Sequence, residues 1–227
     1  MSLPRTRIYL GPTLTHEEAR EILDVEYYPP ITYECLARAK ADGVDVIGII
    51  DAVFFMKFTA TPTQILDCLR EGIVMYGAAS AGALRAVETD RFGMRGVGDI
   101  YHLYKSGFDA EDKVAVTFDP ETLKATSEAM VNVRYAMEKA HNLNVLSQDS
   151  HDALIVIAKS IYFSQRTYED IFKKAQGQIP DTELEVVKQF INDYRNDLDR
   201  KRLDAIECLQ NIKTYLIACA ERSRHGF

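Results

Sequence analysis

The chain has 227 residues, 47% of them hydrophobic, with only 12 glycines and 7 prolines, which suffices for a full core and excludes bulk disorder. Its formal net charge of −7 excludes the basic field of a nonspecific nucleic-acid binder. No stretch approaches the roughly 18 apolar residues that read as a membrane span, and the four cysteines, Cys35, Cys68, Cys208 and Cys219, form neither a CxxC metal pair nor a disulfide framework.

The opening MSLPRTRIYLGPTL has too short an apolar run for a secretory h-region, so the expected location is the cytoplasm. Residues 7–10 (RIYL), 44–50 (VDVIGII) and 73–76 (IVMY) are short runs rich in β-branched or aromatic residues and without strict alternation. That pattern suits strands buried on both faces. Helical segments separate them. Residues 15–25 start with Thr15 and carry Glu18 three residues on, a capping-box signature. Residues 32–42 are closed by Gly43. Residues 63–70 follow Pro62, place Ile65, Leu66 and Leu69 on one face and stop at Gly72. The alternation predicts an α/β, parallel-sheet, Rossmann-like core.

Further on, 81–90 predicts a helix, 91–98 (RFGMRGVG) a glycine-punctuated turn, 99–106 a short helix and 113–118 (KVAVTF) another strand. From about residue 121 the pattern is helical only. The run 153–158 (ALIVIA) has strand composition, but Leu154, Ile157, Ala158, Ile161 and Tyr162 keep helical spacing. After Pro180, Leu184, Val187, Ile191, Tyr194 and Leu198 step by three and four, a short heptad seam. It serves either as a helix packed on its own domain or as a homodimer or partner contact. The division expected is an α/β core over 1–137 and an α-helical C-terminal region over 138–227.

In an open parallel sheet, ligands bind beyond the carboxyl ends of the strands. The segments there are Gly11-Pro12-Thr13, then Asp51, then Gly77-Ala78-Ala79-Ser80-Ala81-Gly82. The third runs from a strand through very small residues into a helix. It exposes Ser80 as a nucleophile elbow would and offers the N–H groups of Ala81, Gly82 and Ala83 to an anion or oxyanion. The spacing is GxxSxG rather than GxSxG, and serine is also a favoured N-cap, so a plain cap and a passive anion site remain alternatives. Arg85, on the next turn, either grips a carboxylate-like group or pairs with Glu88. Asp51, at a buried strand end, either orients a base or water or caps the following turn. His102 is a candidate general base, though Ile100, Leu103 and Tyr104 form the apolar face that would turn it to solvent. Asp112, in an acidic run, is a candidate for positioning water. Gly11 and Gly77 are candidate binding positions. No cluster has the character of a metal site, and no P-loop or GxGxxG follows the first strand, so no cofactor is expected.

GPTL at 11–14, IGIIDAVF at 47–54, GAASAGALRAVE at 77–88, FGMRGVGDIY at 92–101, EDKVAV at 111–116 and VNVR at 131–134 together resemble the TfuA family over roughly residues 7–137. The family's usual Ser-Ser-Met-Gly turn is here Ala79-Ser80-Ala81-Gly82, and the glycine that commonly follows the strand-end aspartate is Ala52. The resemblance implies an accessory role in peptide-backbone thioamidation. A TfuA-like protein hydrolyses the C-terminal thiocarboxylate of a ThiS-like sulfur-carrier protein and hands bisulfide to a YcaO-type ATP-dependent enzyme. On that reading Ser80 is nucleophile or water-positioning residue, Arg85 and the helix N-terminus hold the thiocarboxylate, and the Ala81 and Gly82 amides hold the oxyanion. The alternative is a non-catalytic adaptor that docks the YcaO enzyme or its peptide substrate.

Overall fold

A computed structural model describes residues 3–53, 59–107 and 113–225. Five strands, β1 Thr6–Tyr9, β2 Glu26–Tyr28, β3 Val46–Ile49, β4 Val74–Ala78 and β5 Arg95–Val97, form one sheet in the order β2-β1-β3-β4-β5, every pairing parallel. The α/β Rossmann-like reading therefore holds. The connecting helices are α1 His16–Ile22, α2 Cys35–Ala41, α3 Pro62–Arg70, α4 Ala81–Thr89 and α5 Asp99–Lys105. The capping box read at Thr15 and Glu18 is present, and α3 has a second one, from Thr61 and Gln64.

The chain separates into two units. The first comprises Met1–Asp109 together with Arg202–Phe227, and the second is Ala110–Lys201. The second contains α6 Met130–Asn142, α7 Gln148–Ser160, α8 Tyr168–Ala175 and α9 Asp181–Asp193; α10, Arg200–His225, lies in the first unit from Arg202 onward. On one face of the sheet, Ile8, Val46 and Tyr76 share an apolar cluster with Cys208, Leu209 and Ile212 of α10. Gly48 permits this close packing, because a Cβ there would lie 2.6 Å from the Ile8 side chain and 3.1 Å from that of Ile212. At its start, α10 contributes Asp204, fully buried, whose carboxylate accepts the N–H groups of Asp99 (3.1 Å) and Ile100 (2.8 Å) and so caps α5. Arg202 pairs with Glu18 of α1 at 2.9 Å.

Two strands escape the hydrophobic pattern. β2 is a three-residue edge strand held by buried Arg7, which pairs with Asp42 (2.8 Å) and Glu26 (3.3 Å) and stacks 4.2 Å from the Tyr28 ring centroid. Burial works most strongly against the Arg7 charge, but the Asp42 hydrogen bond and the neighbouring Tyr9 and Tyr28 hydroxyls together more than offset it, and its pKa rises. β5 lies within the stretch read as a turn, where Gly96 leaves room for the Tyr101 ring and Arg95 donates to the Tyr76 hydroxyl at 2.6 Å. The strand expected over 113–118 is corrected. Phe118 makes only an isolated antiparallel bridge to Ala125, closed locally by Asp119 N–H to the Lys124 carbonyl at 2.9 Å. Helix resumes at Met130 rather than near residue 121.

In the helical unit, Met137, Leu154, Ile157, Ile171, Leu184, Val187 and Ile191 share one apolar cluster. The run 153–158 is helical within α7, as its spacing requires. Arg166, buried, donates to the carbonyls of Ala158 (3.0 Å) and Ile161 (3.1 Å) and satisfies the end of that helix. Along the heptad seam, Leu184, Val187, Ile191 and Leu198 face the unit's own core, while Tyr194 stands 51% exposed just past the end of α9.

Candidate active site at the carboxyl edge of the sheet

Strand order reverses between β1 and β3, so the crevice at their carboxyl ends is the default ligand position of this topology. Here the chain itself occupies it. Asp51, 1% exposed, accepts the N–H groups of Gly11 (3.0 Å) and Thr13 (3.1 Å) on one oxygen and the Thr13 hydroxyl (2.6 Å) on the other. The aspartate read at the strand end thus anchors the β1 loop. Gly11 has no room for a side chain, because a Cβ would meet the Pro30 ring at 2.5 Å. The Asp51 backbone joins the same framework, donating to the Tyr9 carbonyl (3.2 Å) and accepting from Ile31 N–H (2.9 Å). Thr13 was invisible as a partner in the sequence; its only signal is its place in a strand-end loop opposite a second strand-end carboxylate.

The turn from β4 into α4 is sharper than an ordinary N-cap. Ser80 N–H donates back to the Ala78 carbonyl at 2.7 Å, a three-residue turn centred on Ala79, whose φ is +63°. An alanine in that region is strained, and the surrounding structure holds it there. Two glycines allow α4 to start so close to the sheet. A Cβ on Gly77 would sit 2.2 Å from the Gly82 carbonyl oxygen, and one on Gly82 would sit 1.8 Å from the Ile49 carbonyl oxygen. Gly77 and Gly82 are therefore close-approach positions for backbone on backbone.

This packing corrects the expected row of free amides. Gly82 N–H donates to the Ile50 carbonyl at 3.3 Å, and Ala83 N–H turns back to the Ser80 carbonyl at 3.1 Å. Ala81 N–H has no partner among the described residues. Ser80 is 3% exposed, and its hydroxyl makes no capping bond and has no partner among the described residues. The Gly82–Ile50 bond also ties α4's first turn to the residue preceding Asp51, so the Asp51 loop and the Ser80 turn border the same edge.

The other candidates sit differently. Arg85 donates from Nε to the Ala60 carbonyl at 2.8 Å and from Nη1 to the Glu88 carboxylate at 2.5 Å. It clamps the chain after β3 to α4 and takes the Glu88 pairing weighed in the sequence. Next to Ala60, the buried hydroxyl of Thr59 has no partner among the described residues. His102 is exposed on α5, its ring 5.0 Å from that of Tyr101, and no hydrogen bond joins it to Ser80, so the solvent-facing reading applies and it is not placed as a base. Asp112 lies outside the described residues. Among those residues, no group of His, Cys, Asp or Glu side chains is disposed to hold a metal ion, and no helix is long and apolar enough to cross a membrane.

Against known proteins, the family model described as TfuA-like protein matches residues 51–167, from the strand-end aspartate through the Ser80 turn and into the helical unit. No curated protein matches the chain.

Proposed function

The chain belongs to the TfuA-like family, whose model matches more than half of it, and from that premise we propose that this thioamidation-associated accessory protein hydrolyses the C-terminal thiocarboxylate of a ThiS-like sulfur carrier, supplying bisulfide to a YcaO-type enzyme. The observation that carries the reading is the pair of unengaged donors at the start of α4: the Ser80 hydroxyl and the Ala81 N–H, at the carboxyl edge of a parallel sheet. A thiocarboxylate is an anion, and the N-terminus of the nine-residue α4 favours negative charge. Attack at its carbonyl carbon places a second negative charge on oxygen. Donors already fixed in position stabilise that charge without reorganising. Gly77 and Gly82 set α4 against β3 and β4, Asp51 fixes the neighbouring loop, and Arg85 fixes the segment at Ala60.

The test is bisulfide release from a carrier bearing a C-terminal thiocarboxylate, with wild-type protein and with Ser80→Ala. Release by wild type, strongly reduced in the folded variant, is the expected result. Absence of release, with or without the YcaO enzyme, defeats the hydrolase reading. The docking alternative draws on the helical unit, where Leu143 (62%), Val156 (66%) and Tyr162 (65%) are exposed. Partner binding that survives the loss of all turnover would favour it.

A further inference from the structure

If the hydrolase reading holds, on which this inference rests, the attacking group is either the Ser80 hydroxyl or a water molecule. Three observations bear on the choice. In a nucleophile elbow, the residue in the strained conformation of the strand-to-helix turn carries the nucleophile. Here that residue is Ala79, at φ +63°, and its fully buried methyl belongs to the apolar cluster containing Leu10, Leu14 and Cys208. The hydroxyl stands one residue later, on Ser80, whose φ of −125° lies outside the left-handed region.

The second observation concerns proton transfer. A serine hydroxyl is a weak nucleophile unless an adjacent base removes its proton, and that base must itself be oriented. Among the described residues, Asp51 is tied to the turn through Ile50, and its oxygens hold Gly11 and both donors of Thr13. His102 is turned to solvent. Among the described residues none accepts a hydrogen bond from the Ser80 hydroxyl. Third, what the site does hold is a pair of donors, Ser80 O–H and Ala81 N–H, with no acceptor set against them among the described residues.

We infer that Ser80 acts as a hydrogen-bond donor to the substrate and that water is the nucleophile, so no acyl-serine forms. The step balances as thiocarboxylate plus water giving carboxylate, bisulfide and one proton. The water oxygen forms the new bond to the carbonyl carbon. The carbon–sulfur bond breaks and sulfur leaves with the electron pair. One proton of the water ends on the sulfide and the other passes to solvent. The Ser80 hydroxyl donates to the substrate oxygen most strongly as negative charge builds there in the transition state, and keeps its proton.

The experiment follows full-length protein mixed with a thiocarboxylated ThiS-type carrier, read by rapid acid quench with intact-mass spectrometry alongside the time course of bisulfide. Linear release without a burst is expected, with no species at the mass of protein plus thiocarboxylated carrier less one hydrogen sulfide. Loss of one oxyanion donor costs roughly 10²–10³-fold in kcat, so Ser80→Ala should fall in that range with little change in KM, whereas loss of a serine nucleophile costs about 10⁶-fold. Ser80→Cys, a weak donor but a strong nucleophile, should be no more active than Ser80→Ala and should form no thioester. An ester on Ser80, a stoichiometric burst, or a thioester on the cysteine variant overturns the inference and leaves the hydrolase reading standing. No bisulfide from wild type, alone or with the YcaO enzyme, overturns both.

Discussion

Replacing Asp51 separates a loop anchor from a chemical base. Its carboxylate accepts from Gly11 N–H, Thr13 N–H and the Thr13 hydroxyl, at 3.0, 3.1 and 2.6 Å, in a position 1% exposed. Hydrogen bonds to a charged group contribute roughly 1.5–3 kcal/mol each, and they do not add. Asp51→Ala leaves two buried N–H groups and a hydroxyl without their acceptor, for an expected loss of about 3–5 kcal/mol. Against a total of roughly 5–15 kcal/mol for a domain, that variant sits at the edge of folding. Asp51→Asn is the informative change. Its amide oxygen can accept from Gly11 and Thr13 N–H as before, and its NH2 can donate to the Thr13 oxygen, which turns from donor to acceptor. The expected cost is about 1–2 kcal/mol, read by urea unfolding followed by circular dichroism. If Asp51 only holds the loop, the asparagine variant releases bisulfide within a few-fold of wild type. A folded Asp51→Asn protein that loses release by roughly 100-fold or more would refute the anchor reasoning, because that is the scale of a lost general base.

Gly82→Ala has no room, its Cβ falling 1.8 Å from the Ile49 carbonyl oxygen; the clash is with backbone, so a loss of about 3 kcal/mol or more is expected, and an unchanged Tm would contradict the packing described. Asp204→Ala strips the cap from α5 and leaves the N–H groups of Asp99 and Ile100 without their acceptor, for an expected cost of about 2–4 kcal/mol in urea unfolding; a change under about 0.5 kcal/mol, the scatter of ordinary surface substitutions, would contradict it. The Arg7 hydrogen bond holds the Asp42 carboxyl below its ordinary value. A depressed folded pKa contributes stability that is complete above the unfolded value of about 3.9 and is lost as pH falls through the lower folded value. The stability difference between wild type and Asp42→Asn should therefore be flat above about pH 5 and shrink below about pH 4; a difference that persists through the acid limb would refute the pairing.

The central strands were legible because β1, β3 and β4 are buried on both faces, and residues such as Ile8, Ile47 and Ile49 leave an uninterrupted apolar run. β2 and β5 were not, since each is three residues long and each is held by a cation stacked on an aromatic ring: Arg7 on Tyr28, and Arg95 on Tyr76. Hydrophobic periodicity carries no trace of such contacts. Residues 113–118 misled for the opposite reason: alternating apolar residues found no neighbouring strand to pair with, only a local bridge at Phe118. At the site, Ser80, Asp51 and the small residues around them follow from topology alone. Which amides were free did not, because that depended on how closely Gly82 approaches β3, and the Thr13–Asp51 bond joins loops that the sequence separates by an entire βαβ passage.

The placement of α10 also has a consequence for the order in which this molecule is made. Ile8, Val46 and Tyr76 emerge from the ribosome early, yet Cys208, Leu209 and Ile212, which cover them, follow only after the whole helical unit has been synthesised. Until then the sheet has one oily face and α5 lacks its Asp204 cap. A nascent chain stopped before α10 would expose that face to chaperones or to other chains. Completion of the first unit therefore waits for α10, and a change that removes or breaks this helix would damage the part of the unit that was synthesised first.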